Sequence, residues 1–288
     1  MFSRPSRIII PQYEAPKDLS LLAAAELLGD GKRAIAAQII DFAVRKVITI
    51  SRKQGARKGS GFTLTLVADV TTEGIEEQGV LAQLFAPGPY TPGATVAIRP
   101  GRNRELGQRL KQPHRDAIAH LIGRGLAREQ SLWVKLLTPS RKAPVVPTEA
   151  AYPLVDHLWG LHDYIRLAEK DRLAFLQSPD GAQRRGPLNE LEVLILNEKL
   201  LPYAVLFGLE KQWMKELDVQ YRDLPVEFAA DLGDVLLIAE FLVDGVQVID
   251  ALADLATLVD AADALEGVGA VFGGIGEALG NLDFPDFS

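Results

Sequence analysis

The sequence has 288 residues, no cysteine, 48% hydrophobic and 24% charged residues, and a net charge of −7 at pH 7. This composition is that of a folded globular chain, which excludes disorder as a description of the whole protein. Without cysteine, the chain has no disulfide, no thiol nucleophile and no zinc site that needs sulfur ligands. No apolar run has the length of a signal-peptide core or of a membrane span, so we expect the chain as given to be soluble.

Residues 1–18 are predicted to form an extended arm, because three prolines in this stretch each bias the preceding residue away from helix. Two helices and two strands follow, with apolar residues at helical spacing in the helices and β-branched residues in the first strand. Their predicted bounds are 19–28, 33–46, 47–50 and 62–67. Two helices followed by a β-hairpin are the outline of a winged-helix unit, which we predict for residues 19–70.

The loop of this hairpin is rich in glycine and basic. Its basic side chains, our candidates for contact with an anion or a partner, are Arg52, Lys53, Arg57 and Lys58. In a DNA-binding winged helix such a loop neutralises phosphates, whereas a charged hairpin tip can equally be solvated and protect a sheet edge. The preceding helix argues against DNA, because it offers few exposed side chains that could read bases, Gln38 and Arg45 being the best candidates.

A second winged-helix-like unit is predicted for residues 71–138. Its elements are a helix over 71–85, a strand over 95–98, a helix over 103–124 and a strand over 131–136. Pro113 is expected to kink or interrupt the long helix, and Gly125 to supply a left-handed cap at its end. The repeat rests on the similarity of residues 39–47 to residues 117–126, each of which is an apolar helix end with a basic last turn.

The second half of the chain is predicted to be helical. Residues 139–147 contain three prolines and are expected to be a linker. A helical module over residues 148–222 follows, and Pro202 and Gly208 are expected to break its second helix. Its predicted helices cover 148–177 and 188–217. Residues 223–288 are predicted to be an acidic helical tail. The predicted fold class is therefore α+β and mostly helical, with two tandem winged-helix-like units, a helical module and the tail.

Charge divides the chain into a basic front and an acidic back. Residues 1–150 hold 22 Lys and Arg against 13 Asp and Glu, a net charge of +9, whereas residues 151–288 hold 9 against 25, a net charge of −16. No basic residue follows Arg222, and residues 223–288 carry 14 acidic ones. The two halves can attract each other, or one of them can serve a charged partner. The plainer interpretation is that the acidic end shields or solubilises the rest.

Four segments carry a resemblance to a known family. They are residues 10–16 with 19–20, 39–50, 161–173 and 200–213. In order and spacing they resemble the YciQ-like predicted membrane proteins of unknown function, over residues 8–220. This resemblance implies a module on the cytoplasmic side of a bacterial-type plasma membrane, and it brings no catalytic residues with it.

The sequence departs from that family at both ends. In the family a membrane helix usually lies just before the proline-rich arm, and here ten residues precede the arm. We therefore expect attachment through a membrane anchor that is absent from this chain, which is either a cut fragment or a soluble relative. The family tends to end in a Gly/Ser-rich tail, whereas this chain has its acidic segment there.

The residues that carry chemistry in other proteins do not assemble into a site here. The histidines are His114, His120, His157 and His162. Their pairs are six and five residues apart, and neither spacing directs two imidazoles from one helix face toward a metal. We predict no catalytic residue, no metal site and no cofactor, and nothing indicates a small-molecule substrate. Aromatic residues at helical spacing favour a core role over a binding patch; they are Trp159, Tyr164, Tyr203, Phe207 and Trp213.

The leading hypothesis is a non-enzymatic interaction module that binds a protein partner at the cytoplasmic face of a membrane. The alternative is nucleic-acid binding through the basic hairpins, with the acidic tail as a competitor. An enzyme ranks third, because no catalytic constellation assembles. The division of charge further suggests that residues 223–288 fold back on the basic front half as an intramolecular mimic of the partner.

Overall fold

A computed structural model describes residues 9–12, 14–52, 61–99, 104–130, 145–166, 190–213 and 241. Its helices are α1 (Leu21–Leu28), α2 (Ala34–Val44), α3 (Ile75–Phe85), α4 (Arg104–Arg109), α5 (Lys111–Gly123), α6 (Tyr152–Arg166) and α7 (Glu190–Phe207). Its strands are β1 (Ile48–Ser51), β2 (Phe62–Leu66), β3 (Thr95–Ile98), β4 (Ala127–Glu129) and β5 (Val145–Pro147). Short 3-10 turns cover Gly31–Arg33, Val70–Thr72 and Glu149–Ala151. The α+β, mostly helical fold class is confirmed.

The first two helices form the centre of the core. The side-chain oxygen of Ser20 caps α1 by accepting a 3.1 Å hydrogen bond from the Ala23 amide, and Gly29 ends the helix at φ +68°. Every residue of α1 is buried, as are eight of the eleven residues of α2. Helix α7 packs against α2, and α5 packs against α1. Both predicted helices therefore exist, but neither presents a polar face to solvent as a surface helix would.

The hairpin belongs to a three-stranded antiparallel sheet in the order β1-β2-β3. Ile50 lies opposite Leu64, and Leu64 lies opposite Val96. Alternate residues of β2 are buried, as a strand with one covered face requires. Strands β1 and β2 come from the predicted unit 19–70 and β3 from the predicted unit 71–138, so one sheet includes both. The winged-helix arrangement and the division into two units stay predictions.

The predicted interruption of the long helix is confirmed, and it falls three residues before Pro113. The long helix is interrupted at Leu110, between α4 and α5, and Pro113 lies in the first turn of α5. An amide in that turn has no acceptor within the helix, so proline removes nothing there. Gly125 adopts φ +70° behind α5, which confirms the predicted left-handed cap.

The prediction that Pro202 breaks a helix was wrong. Helix α7 continues through Pro202 and ends at Gly208, which has φ +76°. The residues on both sides of the proline, from 200 to 207, are buried. Packing of this apolar segment offsets the hydrogen bond that proline removes from a helix interior.

The predicted linker over residues 139–147 ends in a strand. Strand β5 pairs with β4 in a two-stranded antiparallel sheet in which Ala127 lies opposite Pro147 and Glu129 opposite Val145. Two consecutive valines suit a strand, and Pro147 stands at its last position, where a missing amide matters least. The predicted strand at 131–136 lies outside the described residues, as do residues 139–144 and the acidic tail apart from Phe241.

The amino-terminal arm packs along α6. The imidazole Nε2 of His157 donates to the carbonyl oxygen of Glu14 at 2.7 Å. At Gly160 a β-carbon would stand 2.3 Å from the carbonyl oxygen of Ile10, so only glycine allows the arm this close. The arm, one segment of the family resemblance, therefore neighbours α6, which contains residues 161–166 of another segment.

Candidate functional site

The base of the basic hairpin is the part of the predicted contact site that the structure describes. Arg52 follows β1 directly, and its guanidinium carbon lies 4.7 Å from the centre of the Phe62 ring at the start of β2. This is the geometry of a cation–π contact. The other three predicted contact residues lie outside the described residues; they are Lys53, Arg57 and Lys58. The contact between Arg52 and Phe62 was not predicted.

Gly61 fixes the position at which the chain re-enters the sheet. Its φ is +92°, and a β-carbon on it would stand 2.3 Å from the carbonyl oxygen of Ile98. A side chain is therefore excluded both by backbone conformation and by the closeness of β3. On the neighbouring strand the Ser51 hydroxyl donates to the Thr63 carbonyl at 3.3 Å. Together these contacts hold Phe62 beside Arg52.

A residue of the acidic tail lies at this hairpin base. Phe241 has a helical conformation and is fully buried. Its ring centre lies 5.2 Å from that of Phe62 at an interplanar angle of 73°, which is the edge-to-face geometry that aromatic pairs favour. Sequence reasoning missed this pair, because no periodicity connects two residues so far apart in the chain. The only signal was that Phe241 is the one aromatic residue within residues 229–271, a largely acidic and aliphatic stretch.

Helix α2, the predicted candidate for reading DNA bases, is not available for that purpose. Gln38 is 1% exposed, and its amide donates to a carboxylate oxygen of Asp41 at 3.1 Å. Helix α7 covers α2, whose apolar residues Ile39, Ile40 and Phe42 are fully buried. A helix that reads bases must reach the major groove with free polar side chains, so α2 cannot serve in this way in the described conformation.

Arg45, the other candidate for base reading, is held by three carboxylates. Its guanidinium lies 2.7 Å from Asp41 and 3.2 Å from Glu77, and it also pairs with Glu73. Asp41 is one turn earlier in α2, whereas Glu73 and Glu77 lie before and within α3. The arginine therefore joins α2 to the start of α3.

Burial and charge shape the titration of this cluster. Burial raises the pKa of the Asp41 and Glu77 carboxyls, although Arg45 acts in the opposite direction. Burial acts to lower the pKa of Arg45, but the charge and hydrogen bonds of its carboxylates outweigh this, so its pKa is raised. Burial, then the charges of Asp41 and Glu77, raise the pKa of Tyr203. The cluster is thus a structural ion-pair network in which arginine stays charged.

Glu76 of α3 links two other helices. It accepts a hydrogen bond from the hydroxyl of Ser20 and pairs with the imidazole of His120. A serine, a histidine and a carboxylate also form hydrolytic triads, but there the imidazole stands between the hydroxyl and the carboxylate. Here the carboxylate stands in the middle, so His120 is not placed to take the proton of Ser20. The arrangement joins helices and does not activate a nucleophile.

Two further ion pairs also connect elements. Buried Glu26 in α1 lies 3.0 Å from His114 in α5. Arg33 lies 2.9 Å from Glu210 and donates to the carbonyl of Val205 near the end of α7, where a cation is favourable. Throughout the described ranges, no group of three or more histidines and carboxylates could hold a metal ion.

The five aromatic residues for which we predicted a core role lie in the core. All five are buried; they are Trp159, Tyr164, Tyr203, Phe207 and Trp213. The imidazole of His162 packs edge-on against the rings of Trp159 and Phe207, with ring centres 5.1 and 5.3 Å apart. This set joins α6 to α7.

Comparison of the chain with protein-family models, with curated proteins and with solved structures gave no match. In the part of the chain that the structure describes, none of the helices combines the length and the apolar character needed to cross a bilayer.

Proposed function

We propose that this chain is a non-enzymatic interaction module that binds a protein partner through its hairpin base. The observation that carries the proposal is the edge-to-face contact between Phe62 and Phe241 beside Arg52. Phe62 is only 3% exposed and Phe241 is fully buried, so the hairpin base packs against an aromatic side chain from a distant segment of the chain. Aromatic residues and arginine are the side chains that most often dominate protein–protein binding energy.

The helices support this proposal over the nucleic-acid alternative. Both candidate base-reading residues are engaged within the protein, Gln38 with Asp41 and Arg45 with its three carboxylates. Nucleic-acid binding would then depend on the hairpin loop alone, as a contact with phosphates that does not read sequence. The alternative therefore remains as the competing outcome of the experiment below.

The proposed location is the cytoplasmic face of a membrane. Its support is the resemblance of four segments to the YciQ-like proteins. The arm packs against α6, and α6 contacts α7, which contains part of the fourth segment. A shared arrangement of these elements would explain why the segments resemble the family together.

Site-specific photo-crosslinking in living bacterial cells separates the two functions. A photoreactive amino acid replaces Ser51, which is exposed and adjoins Arg52. The matched control replaces Arg128, which is exposed on β4 in the other sheet. We expect Ser51 to give an adduct of discrete mass that protease removes and nuclease does not, and the Arg128 position not to give it. A nuclease-sensitive adduct at Ser51 would support the nucleic-acid alternative instead.

Salt-dependent binding of random duplex DNA provides the second test. The full chain is compared with the variant R52Q/K53Q/R57Q/K58Q. We expect the two proteins to give the same weak binding at low salt. If the loop contacts phosphates, the full chain would lose affinity steeply with salt, with a log–log slope of about −0.9 per phosphate contact. The variant would then lack that slope, and the protein-partner proposal would be wrong.

A further inference from the structure

We propose that the outer edge of β3 is a docking site for a second copy of this chain, and that the two β3 strands pair antiparallel about a two-fold axis at Val96. The pairing joins the two three-stranded sheets into one. The juxtaposition that carries the proposal is the outward backbone of Thr95 and Ala97, two exposed residues on one strand. This site is independent of the hairpin base, because Arg52 follows β1 and β3 lies on the other side of β2.

The backbone hydrogen bonds of the sheet show which groups of β3 face outward. The Leu66 amide donates to the Ala94 carbonyl at 2.9 Å, so the backbone of Ala94 is directed toward β2. Backbone groups alternate sides along a strand, and Val96 lies two positions after Ala94. Val96 therefore also bonds to β2, whereas Thr95 and Ala97 direct their amide and carbonyl groups away from it.

The two edges of the sheet differ in exposure. The Val67 amide donates to the Val47 carbonyl at 2.9 Å, so the same alternation directs the backbone of Ile48 and Ile50 outward from β1. These two residues are 1% and 6% exposed, whereas both outward residues of β3 are exposed. Among the residues that the structure describes, no strand pairs with β3 on its outer side. An exposed edge of this kind is a template for another strand.

The edge of β3 is complementary to itself. In a register centred on Val96, Thr95 of one copy lies opposite Ala97 of the other, and each such pair exchanges two backbone hydrogen bonds. The outward groups of β3 are then satisfied by β3 alone, whereas a register centred on Thr95 or Ala97 makes one of the two pair outside the strand. The two Val96 side chains meet in the closer, non-hydrogen-bonded pair, which covers an apolar residue that is only partly buried.

The side chains along this edge also favour a second copy. Residues 92–98 contain no charged side chain, so self-pairing brings no like charges together and a charged partner finds nothing to match. Arg99 falls opposite Gly93 of the other copy, where an added β-carbon would meet nothing within 4 Å. A strand of four residues buries much less than the roughly 1,200–2,000 Å² of a stable interface, so we expect a weak dimer.

Sedimentation velocity of the full chain, from about 5 to 500 µM, tests the pairing, and we expect a dissociation constant of about 100 µM. T95K/A97K places like charges opposite each other across the axis and should weaken the dimer at least about 10-fold. T95K/A97E places opposite charges there and should retain the dimer. The matched control T49K/S51K makes the same change on exposed residues of β1 and should behave as wild type. A wild-type chain that stays monomeric, or equal weakening by both β3 variants, would overturn the proposal.

Disulfide cross-linking tests the register, since the chain has no cysteine of its own. In V96C the two Cα atoms lie about 4.5 Å apart, within the range that a disulfide spans. In T95C the two cysteines lie on a diagonal, with Cα atoms about 7–8 Å apart, which is too far. T49C on β1 is the control for random collision. We expect mild oxidation to link V96C at least about 10-fold faster than T95C or T49C. Equal rates would show that the strands do not pair in this register.

Photo-crosslinking in cells identifies the occupant of the edge. With a photoreactive amino acid in place of Ala97, we expect an adduct with the mass of two copies of the chain. An adduct with a different protein would assign the edge to another strand and overturn the proposal. The dimer and the proposed function fail separately. A monomeric chain that still gives a protein adduct at Ser51 would overturn only the dimer, and a nuclease-sensitive adduct at Ser51 with rapid V96C cross-linking would overturn only the proposed function.

Discussion

Strand β1 has an arginine near each end, and the two arginines serve different purposes. Arg45, before the strand, is held by Asp41, Glu73 and Glu77 and joins α2 to α3. Arg52, after the strand, lies over the ring of Phe62 at the hairpin base. In the sequence both are basic residues at the boundary of a β-branched strand.

The difference shows how neighbouring elements assign a role to a charge. The helix that follows β2 along the chain brings carboxylates to Arg45, which turns a candidate DNA contact into part of the framework. At Arg52 the ring of Phe62 supplies a cation–π contact, and Phe241 of the acidic tail lies against that same ring. We therefore expect changes at Arg45 to affect stability and changes at Arg52 to affect binding. Four predictions test this difference, in order of decreasing expected effect.

R45M should have the largest effect on the free energy of unfolding. It leaves Asp41, Glu73 and Glu77 without their shared cation, and removing one partner of a buried ion pair costs about 3–5 kcal/mol. Because the Arg45 side chain is 37% exposed, we expect the lower end of that range, about 3 kcal/mol. Urea denaturation measures this loss in the free energy of unfolding. The control is R109M, which removes a guanidinium that donates to the Gln83 carbonyl and should cost about 1 kcal/mol. A smaller loss for R45M than for R109M would contradict the network interpretation.

G61A tests the backbone that positions Phe62. Its cost combines positive φ with the approach of the Ile98 carbonyl, and we expect about 2–3 kcal/mol in thermal or urea unfolding. G93A is a matched control, since Gly93 has φ +94° and an added β-carbon would meet nothing within 4 Å. It should cost only about 1 kcal/mol. If G61A and G93A lower the free energy of unfolding equally, the closeness of β3 contributes nothing to the cost of G61A.

R52M should cost less than about 1 kcal/mol of stability, because a partly exposed cation–π contact is worth about that much. Methionine keeps the apolar stem against the Phe62 ring while it removes the charge. The measurement is the same urea denaturation as for R45M. If R52M lowered the free energy of unfolding as much as R45M, the two arginines would not differ in their structural role.

The pH dependence of stability should be the smallest effect. Burial raises the pKa of Asp41 and Glu77 above their ordinary values of 3.8 and 4.5, so the folded chain binds protons more tightly than the unfolded one. The contribution of these groups is therefore fully present at low pH and is lost as pH rises from about 4 through their folded-state pKa. D41N should reduce that decline in the free energy of unfolding, measured by urea titration at successive pH values.

Asp69 provides a control of opposite sign. Its carboxylate accepts a 3.0 Å hydrogen bond from the Thr71 amide, which lowers its pKa. Its contribution is present above pH 3.8 and is lost as pH falls through the folded-state pKa. D69N should therefore remove a rise in stability with pH. The same direction of change in D41N and D69N would show that burial does not govern Asp41.

Much of the local structure could be predicted from the sequence. The strand at residues 95–98, the hairpin strands and the helices α1 and α2 lie within a residue or two of their predicted bounds, because apolar spacing and β-branched residues are local signals. The two helical prolines had different outcomes. The helix expected to be interrupted at Pro113 is interrupted three residues before it, whereas the helix expected to break at Pro202 continues through it, in a segment buried on both sides. What a proline does depends on its neighbours in space as well as on its sequence position.

The candidate site could be predicted only in part. The sequence indicated a basic hairpin loop and assigned Arg52 to it, because charge and glycine content are local properties. It could not indicate that Phe62 lies under Arg52 or that Phe241 lies against Phe62. The contact of Phe241 with Phe62 joins segments that are distant in the chain, and no spacing rule connects them. The contact of Arg52 with Phe62 depends on the hairpin register, in which Ser51 lies opposite Thr63.

The sequence by itself determined where the chain forms helices and strands, how its charge is divided and which loop is basic. These properties depend on residues within a few positions of one another. Only the tertiary structure decided that α2 is covered by α7, that Arg45 belongs to an ion-pair network and that an aromatic residue of the acidic region lies at the hairpin base. Each of these depends on burial and on the approach of distant segments, which are set by the packing of the whole chain.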